Sequence, residues 1–191
     1  MFQANINSQQ LDDLPIKVFE GGIVVIDSAN KVKPAVEYLS KSMLLGFDTE
    51  TRPSFVKGRK HKVALLQLAN EERAYLFRLG NTGITDDLAA LLENNSIMKV
   101  GAAIRDDLKA LQKLRQFAPA GFIDLQSIAK KYGIMEMSVR KLAAIVLKIR
   151  ISKTQQLSNW ENAELTEAQQ RYAATDAWVC RQAYLNLQNS L

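Results

Sequence analysis

The nearly continuous apolar run Met43-Leu44-Leu45-Gly46-Phe47 passes directly into Asp48-Thr49-Glu50-Thr51. Such a run fits a buried strand whose far end reaches solvent. Asp48 and Glu50 are two residues apart, so a strand projects both from the same face. Two like charges beside buried sequence repel. A divalent cation relieves that repulsion, because hard ions such as Mg²⁺ take carboxylate oxygens readily. The ordinary alternative is a polar strand end leading into a solvated loop, and Asp-x-Glu taken alone favours it.

The surrounding pattern alternates strands and helices. Gly22 to Ile26 reads as a short strand, followed by a helix over roughly Lys33 to Ser40 with Ala35, Val36 and Leu39 inward. Val63 to Leu68 and Ala74 to Leu79 read as an antiparallel hairpin across Asn70-Glu71-Glu72-Arg73. Ile84, Leu88, Leu91 and Leu92 have helical spacing. Ile97 to Gly101 is a strand, and Ile104, Leu108, Leu111 and Leu114 mark the next helix. Phe122-Ile123 forms a last short strand, with Asp124 capping a helix through Tyr132, and Val139, Leu142, Ala143 and Val146 follow. Thr166 and Gln169 form a capping-box signature ahead of a long final helix. This order implies a three-layer α/β domain with a mixed central sheet flanked by helices. Residues 1–21 read as an N-terminal extension and 22–191 as the domain.

Helical phase separates the neighbouring acids Asp106 and Asp107. Asp107 shares the inward stripe of Ile104, Leu111 and Leu114, whereas Asp106 faces Lys109 and Lys113 in an ordinary surface role. In the last helix Tyr172 and Asp176 lie four apart on the stripe of Val179, Cys180, Ala183 and Leu187. An ionised carboxylate on a buried face is costly unless paired or bound to metal. Asp176 is also about ten residues past the cap, beyond the reach of the helix dipole.

These residues fall into three ordered motifs: Phe47-Asp48-Thr49-Glu50-Thr51, Val100-Gly101-Ala102-Ala103-Ile104-Arg105-Asp106-Asp107-Leu108 and Tyr172-Ala173-Ala174-Thr175-Asp176. In this the chain resembles the tyrosine subclass of the DEDD 3′-5′ exonucleases (DEDDy), which includes ribonuclease D and the Werner syndrome helicase exonuclease domain. The resemblance spans roughly Gly22 to Leu187. It implies a ribonuclease H-like fold and a hydrolase that releases nucleoside 5′-monophosphates from DNA or RNA 3′ ends. It further implies that Asp48, Glu50, Asp107 and Asp176 are ligands for two divalent cations, Mg²⁺ or Mn²⁺, and that Tyr172 orients the attacking water. The similarity stops short of the accessory nucleic-acid-binding domains of ribonuclease D and of the Werner helicase, leaving substrate choice open.

The charge balance, 25 Lys and Arg against 20 Asp and Glu in 191 residues, favours phosphate-bearing partners. The loop after the first motif holds Arg52, Phe55, Lys57, Arg59, Lys60 and Lys62, able to contact phosphates and stack on a terminal base. Lys130, Lys131, Arg140, Lys141, Lys148, Arg150 and Lys153 form a second basic region. Trp160 reads as a core residue beneath the site and Cys180 as buried packing. His61 is the only histidine and lacks a cysteine or histidine partner in its loop, which argues against zinc. With one cysteine and neither a signal-peptide pattern nor an apolar stretch of membrane-span length, a cytoplasmic protein is expected. The competing reading is a nucleic-acid-binding or scaffold module of the same fold without turnover. A missing acid would mark it, and here none is missing.

Overall fold

The computed structural model describes residues 1–54, 56, 58 and 61–190. Six strands form one mixed sheet: β1 (Gly22–Ile26), β2 (Leu44–Thr51), β3 (Val63–Ala69), β4 (Arg73–Arg78), β5 (Met98–Gly101) and β6 (Phe122–Asp124). Their spatial order is β1-β4-β3-β2-β5-β6. β3 runs antiparallel to both β2 and β4, while β5 lies parallel to β2 on the other side. The sequence places the hairpin and the acid-bearing strand correctly, and β2 continues through Thr51, so both acids remain in the ladder.

Eight α-helices and a short 3-10 helix (Ala29–Lys31) complete the described chain, the α-helices being α1 (Ser8–Asp12), α2 (Val32–Leu39), α3 (Leu79–Thr82), α4 (Asp86–Glu93), α5 (Ile104–Gln112), α6 (Leu125–Lys131), α7 (Val139–Leu147) and α8 (Glu167–Gln188). One sheet face, through Leu45, Phe47, Leu66, Leu68 and Phe77, packs with Leu39 of α2, Leu88 of α4 and Ile104 of α5. On the other face, Leu65, Ala69, Ala74 and Leu76 pack with Ala173, Ala174 and Ala177 of α8. Helices α6 and α7 join that layer through Leu125 and Leu142. The three layers match the sequence expectation. β3 is buried along its whole length, and its apolar run reads accordingly. Residues 1–21 pack on the same body: Ile6, Leu11 and Phe19 are buried, and the Met135 amide donates to the Ala4 carbonyl. Among the described residues no helix is long and apolar enough to cross a membrane.

Three local devices set the strand-to-helix geometry. Thr166 and Gln169 cap α8 reciprocally, as their spacing predicts. Asp124 caps α6, accepting from the Gln126 amide at 2.9 Å, and also accepts from the Ala103 amide at 3.3 Å. Ala103 itself stands left-handed, φ 57 and ψ 34, at the start of α5. That conformation costs an L-residue about 1–2 kcal/mol, and the Asp124 contact offsets part of it. The third device is Lys99, fully buried in β5, whose Nζ donates to the carbonyls of Asn94 (2.7 Å) and Leu91 (3.3 Å). The cation thus adds a second donor to two carbonyls that already accept backbone N–H groups where α4 ends, on the negative side of its dipole. Burial pushes its pKa down to about 8.

Candidate active site

Alternation along β2 puts Gly46, Asp48 and Glu50 on the face that α8 covers. Gly46 decides how near the helix comes: a Cβ there would stand 1.8 Å from the Ala177 carbonyl oxygen. With only hydrogen at that position, the backbone of α8 lies against β2, and Asp176, one residue before Ala177, meets the two strand acids. Asp48, Glu50 and Asp176 each offer a carboxylate oxygen within 4.8 Å of the others. Asp176 is 8% exposed. Among the described residues, none of the three is in an ion pair with Lys or Arg.

Asp107, the fourth acid of the motifs, stands outside this group of three. Thr49, on the opposite face of β2, donates its hydroxyl to Asp107 Oδ1 at 2.6 Å, tying α5 to the same strand end. The Asp107 charge still acts on the cluster, raising the pKa of both Asp48 and Glu50. Asp106 points away, its side chain 94% exposed and 3.9 Å from Lys109, as helical phase predicts. Thr49 is a contact of the candidate site that sequence reasoning passed over. Its only signal was its place between two acids on the alternate face.

The electrostatics follow from burial and crowding. Asp48 is held well above the ordinary carboxylate range, first by burial, then by Asp176 and Asp107. Glu50 is pushed up to about 10 by burial and by Asp48, Asp176 and Asp107. Asp176 rises to about 7 through burial, with Tyr172 opposing the shift. Burial also raises Asp107, against the lowering hydrogen bond from Thr49. Tyr172 is shifted above its usual value by burial, then by Asp176 and Glu50. The phenol therefore keeps its proton at neutral pH. Its ring lies 6.0 Å from that of Trp160, which is buried beneath it as the sequence suggests.

Such a set of uncompensated carboxylates fits a divalent cation, which would supply the positive charge the protein withholds. A pH experiment reads this directly. Without cation, the folded acids keep protons that the unfolded chain has released, from about pH 4 up to about 7 for Asp176 and about 10 for Glu50. The native state then binds more protons than the unfolded one, and stability falls as pH rises through that window. Melting temperature in EDTA should drop between about pH 5 and 8, and Mn²⁺ should restore it more at the upper end. A chelated protein whose melting temperature climbs over that range would contradict the linkage.

The proposed substrate contacts are only partly in view. Arg52 donates to Glu161 at 3.1 Å, and His61 lies 3.8 Å from the same carboxylate. Phe55, Lys57, Arg59 and Lys60 lie outside the described residues. In the second basic region Lys141 is engaged by Glu136, and Arg140 and Arg150 by Asp12. These arginines hold residues 1–21 in place, a role the sequence reading did not foresee. Cys180 is buried, as expected.

The fold is of ribonuclease H-like type. The EXO domain of Nibbler from Aedes aegypti superimposes with a TM-score of 0.79, at 23% identity, covering 93% of this chain and 92% of that one. Escherichia coli ribonuclease D gives 0.76 at 22% identity, covering 88% and 46%. At these identities the likeness shows the fold. The family follows from the sequence: the 3′-5′ exonuclease family model matches residues 23–191, and the chain belongs to that family. It is 34% identical over 188 residues to the mouse bifunctional 3′-5′ exonuclease/ATP-dependent helicase WRN, covering 93% of this chain and 13% of that protein. To ribonuclease D of Gluconacetobacter diazotrophicus it is 30% identical over 165 residues, covering 84% and 41%. The chain thus spans less than half the length of either relative.

Proposed function

We propose that residues 22–191 hydrolyse phosphodiester bonds at the 3′ ends of DNA or RNA, using Asp48, Glu50, Asp107, Asp176 and Tyr172 in the manner of the tyrosine subclass. The observation that carries this reading is the convergence of three carboxylates within 4.8 Å, with no basic partner among the described residues. The four acids would hold two divalent cations, Mg²⁺ or Mn²⁺. Such ions, when bound, polarise the phosphate and lower the pKa of a bound water.

The chain's own groups set everything else. Asp48 and Glu50 are fixed by a central strand, and Asp176 by a helix that Gly46 admits to contact distance. Thr49 orients Asp107. Tyr172, protonated at neutral pH, donates or accepts a hydrogen bond to place the attacking water, and does not serve as a base. The arginine and lysines of the loop after Glu50 are assigned to substrate phosphates, with Arg52 exchanging Glu161 for one. The names of the relatives support a nucleic-acid substrate in common, one of them a ribonuclease and another an exonuclease joined to a helicase.

Chromatography of the digestion products tests the chemistry. Nucleoside 5′-monophosphates, released only with Mg²⁺ or Mn²⁺, are expected. Nucleoside 3′-monophosphates or internal fragments would overturn the assignment. Tyr172→Phe should lower turnover about 100-fold, the scale for removing one hydrogen bond at a developing charge, with Mn²⁺ affinity little changed. Wild-type turnover in that variant would make the hydroxyl dispensable.

A further inference from the structure

Gln67 sits in the middle of β3, fully buried, and neither its amide nitrogen nor its amide oxygen has a hydrogen-bond partner. An amide in such a place is costly unless it is used, because burial strips its water without replacing it. Its position in the sheet says where a use lies. β3 runs antiparallel to β2 with Gln67 directly opposite Asp48, so the two side chains share one face of the ladder. Directly opposed Cβ atoms in such a pair stand about 4.5–5.5 Å apart. On its other side Gln67 is opposed by Leu76 of β4. Leu65 and Ala69, two residues before and after it, belong to the apolar layer under Ala173, Ala174 and Ala177. The cross-strand neighbours therefore offer the amide one polar partner, the carboxylate of Asp48.

We propose that Gln67 is a positioning residue of the exonuclease site: once a cation is bound, its Nε2–H, unpartnered without one, donates to the Asp48 carboxylate across the ladder and fixes which oxygen is presented to the ion. The inference rests on the reading of Asp48 as a cation ligand. A carboxylate that ligates a cation is ionised, and it accepts more strongly from an amide than a protonated one does, so the bond forms as the ion is taken up. Outer hydrogen bonds of this kind orient ligating carboxylates and raise metal affinity. A Gln kept merely to fill the core would gain nothing from its amide, and an apolar side chain of similar length would serve as well.

Gln67→Met and Gln67→Leu separate the two. The measurements are calorimetric titration with Mn²⁺ alone, melting temperature in EDTA, and kcat and KM on a labelled oligonucleotide. Both variants should melt at or above the wild-type temperature in EDTA, bind Mn²⁺ about 10–100-fold more weakly, and lose kcat with KM unchanged. Wild-type Mn²⁺ affinity in either folded variant overturns the proposal. Failure of both variants to fold also overturns it, since the amide is then a structural member of the core. If the wild type itself takes up no Mn²⁺, the reading of the carboxylates fails first. If the wild type and Gln67→Met bind alike, only the role of Gln67 fails.

Discussion

Asp48→Asn should leave a folded protein with turnover reduced about a thousandfold, equivalent to about 4 kcal/mol of transition-state stabilisation. The substitution keeps the side-chain volume and removes an ionisable group that burial and two neighbouring acids force to hold its proton when no cation is bound. For that reason the variant should also melt higher than wild type in EDTA near neutral pH and gain less from added Mn²⁺. Activity and cation-free stability move in opposite directions because the charge that binds the ion is a liability without it. Melting curves with and without Mn²⁺, beside a single-turnover assay, check both halves. An active variant, or one destabilised in EDTA, would contradict the account.

The second large effect is expected from Gly46→Ala. One methyl group placed 1.8 Å from the Ala177 carbonyl cannot be absorbed by a side-chain rotation, because the obstacle is backbone. Either α8 lifts from β2 or the strand bends, and overpacking of this kind costs about 3 kcal/mol. In a chain of this size that corresponds to a fall in melting temperature of about 6–12 °C. Asp176 moves with Ala177, so turnover should drop about 100-fold even well below the melting temperature, the scale for a displacement of about 1 Å. Thermal denaturation and kcat at low temperature measure the two separately. A variant that keeps both would show that helix and strand do not need this closeness.

The sequence exposed the site better than it exposed what supports the site. Asp48, Glu50 and Asp176 were legible because acids on a buried strand and a buried helix stripe break an apolar pattern, and Asp107 because helical phase separates it from Asp106. The sheet was legible because its strands are short apolar runs between turn residues. Lys99 was not, since a lysine in Met-Lys-Val-Gly reads as a surface residue until the end of α4 is seen to offer it two carbonyls. Gln67 was hidden for the same reason: its meaning lies in a strand register, which alternation within β3 does not reveal. The left-handed turn at Ala103 left no mark either, because glycine or asparagine would be its usual signal. Residues 1–21 read as an extension because they are short and polar, while Ile6, Leu11 and Phe19 find cover only in three dimensions.

The most direct test of the central claim is the length of 5′-labelled single-stranded DNA, recessed duplex DNA and RNA followed over time with Mg²⁺ or Mn²⁺, alongside chelator and Asp48→Asn controls. A ladder that shortens stepwise from the 3′ end, and disappears in both controls, is the predicted result and ranks the substrates. Substrates that stay intact under every metal condition, or that shorten equally in Asp48→Asn, would contradict the account.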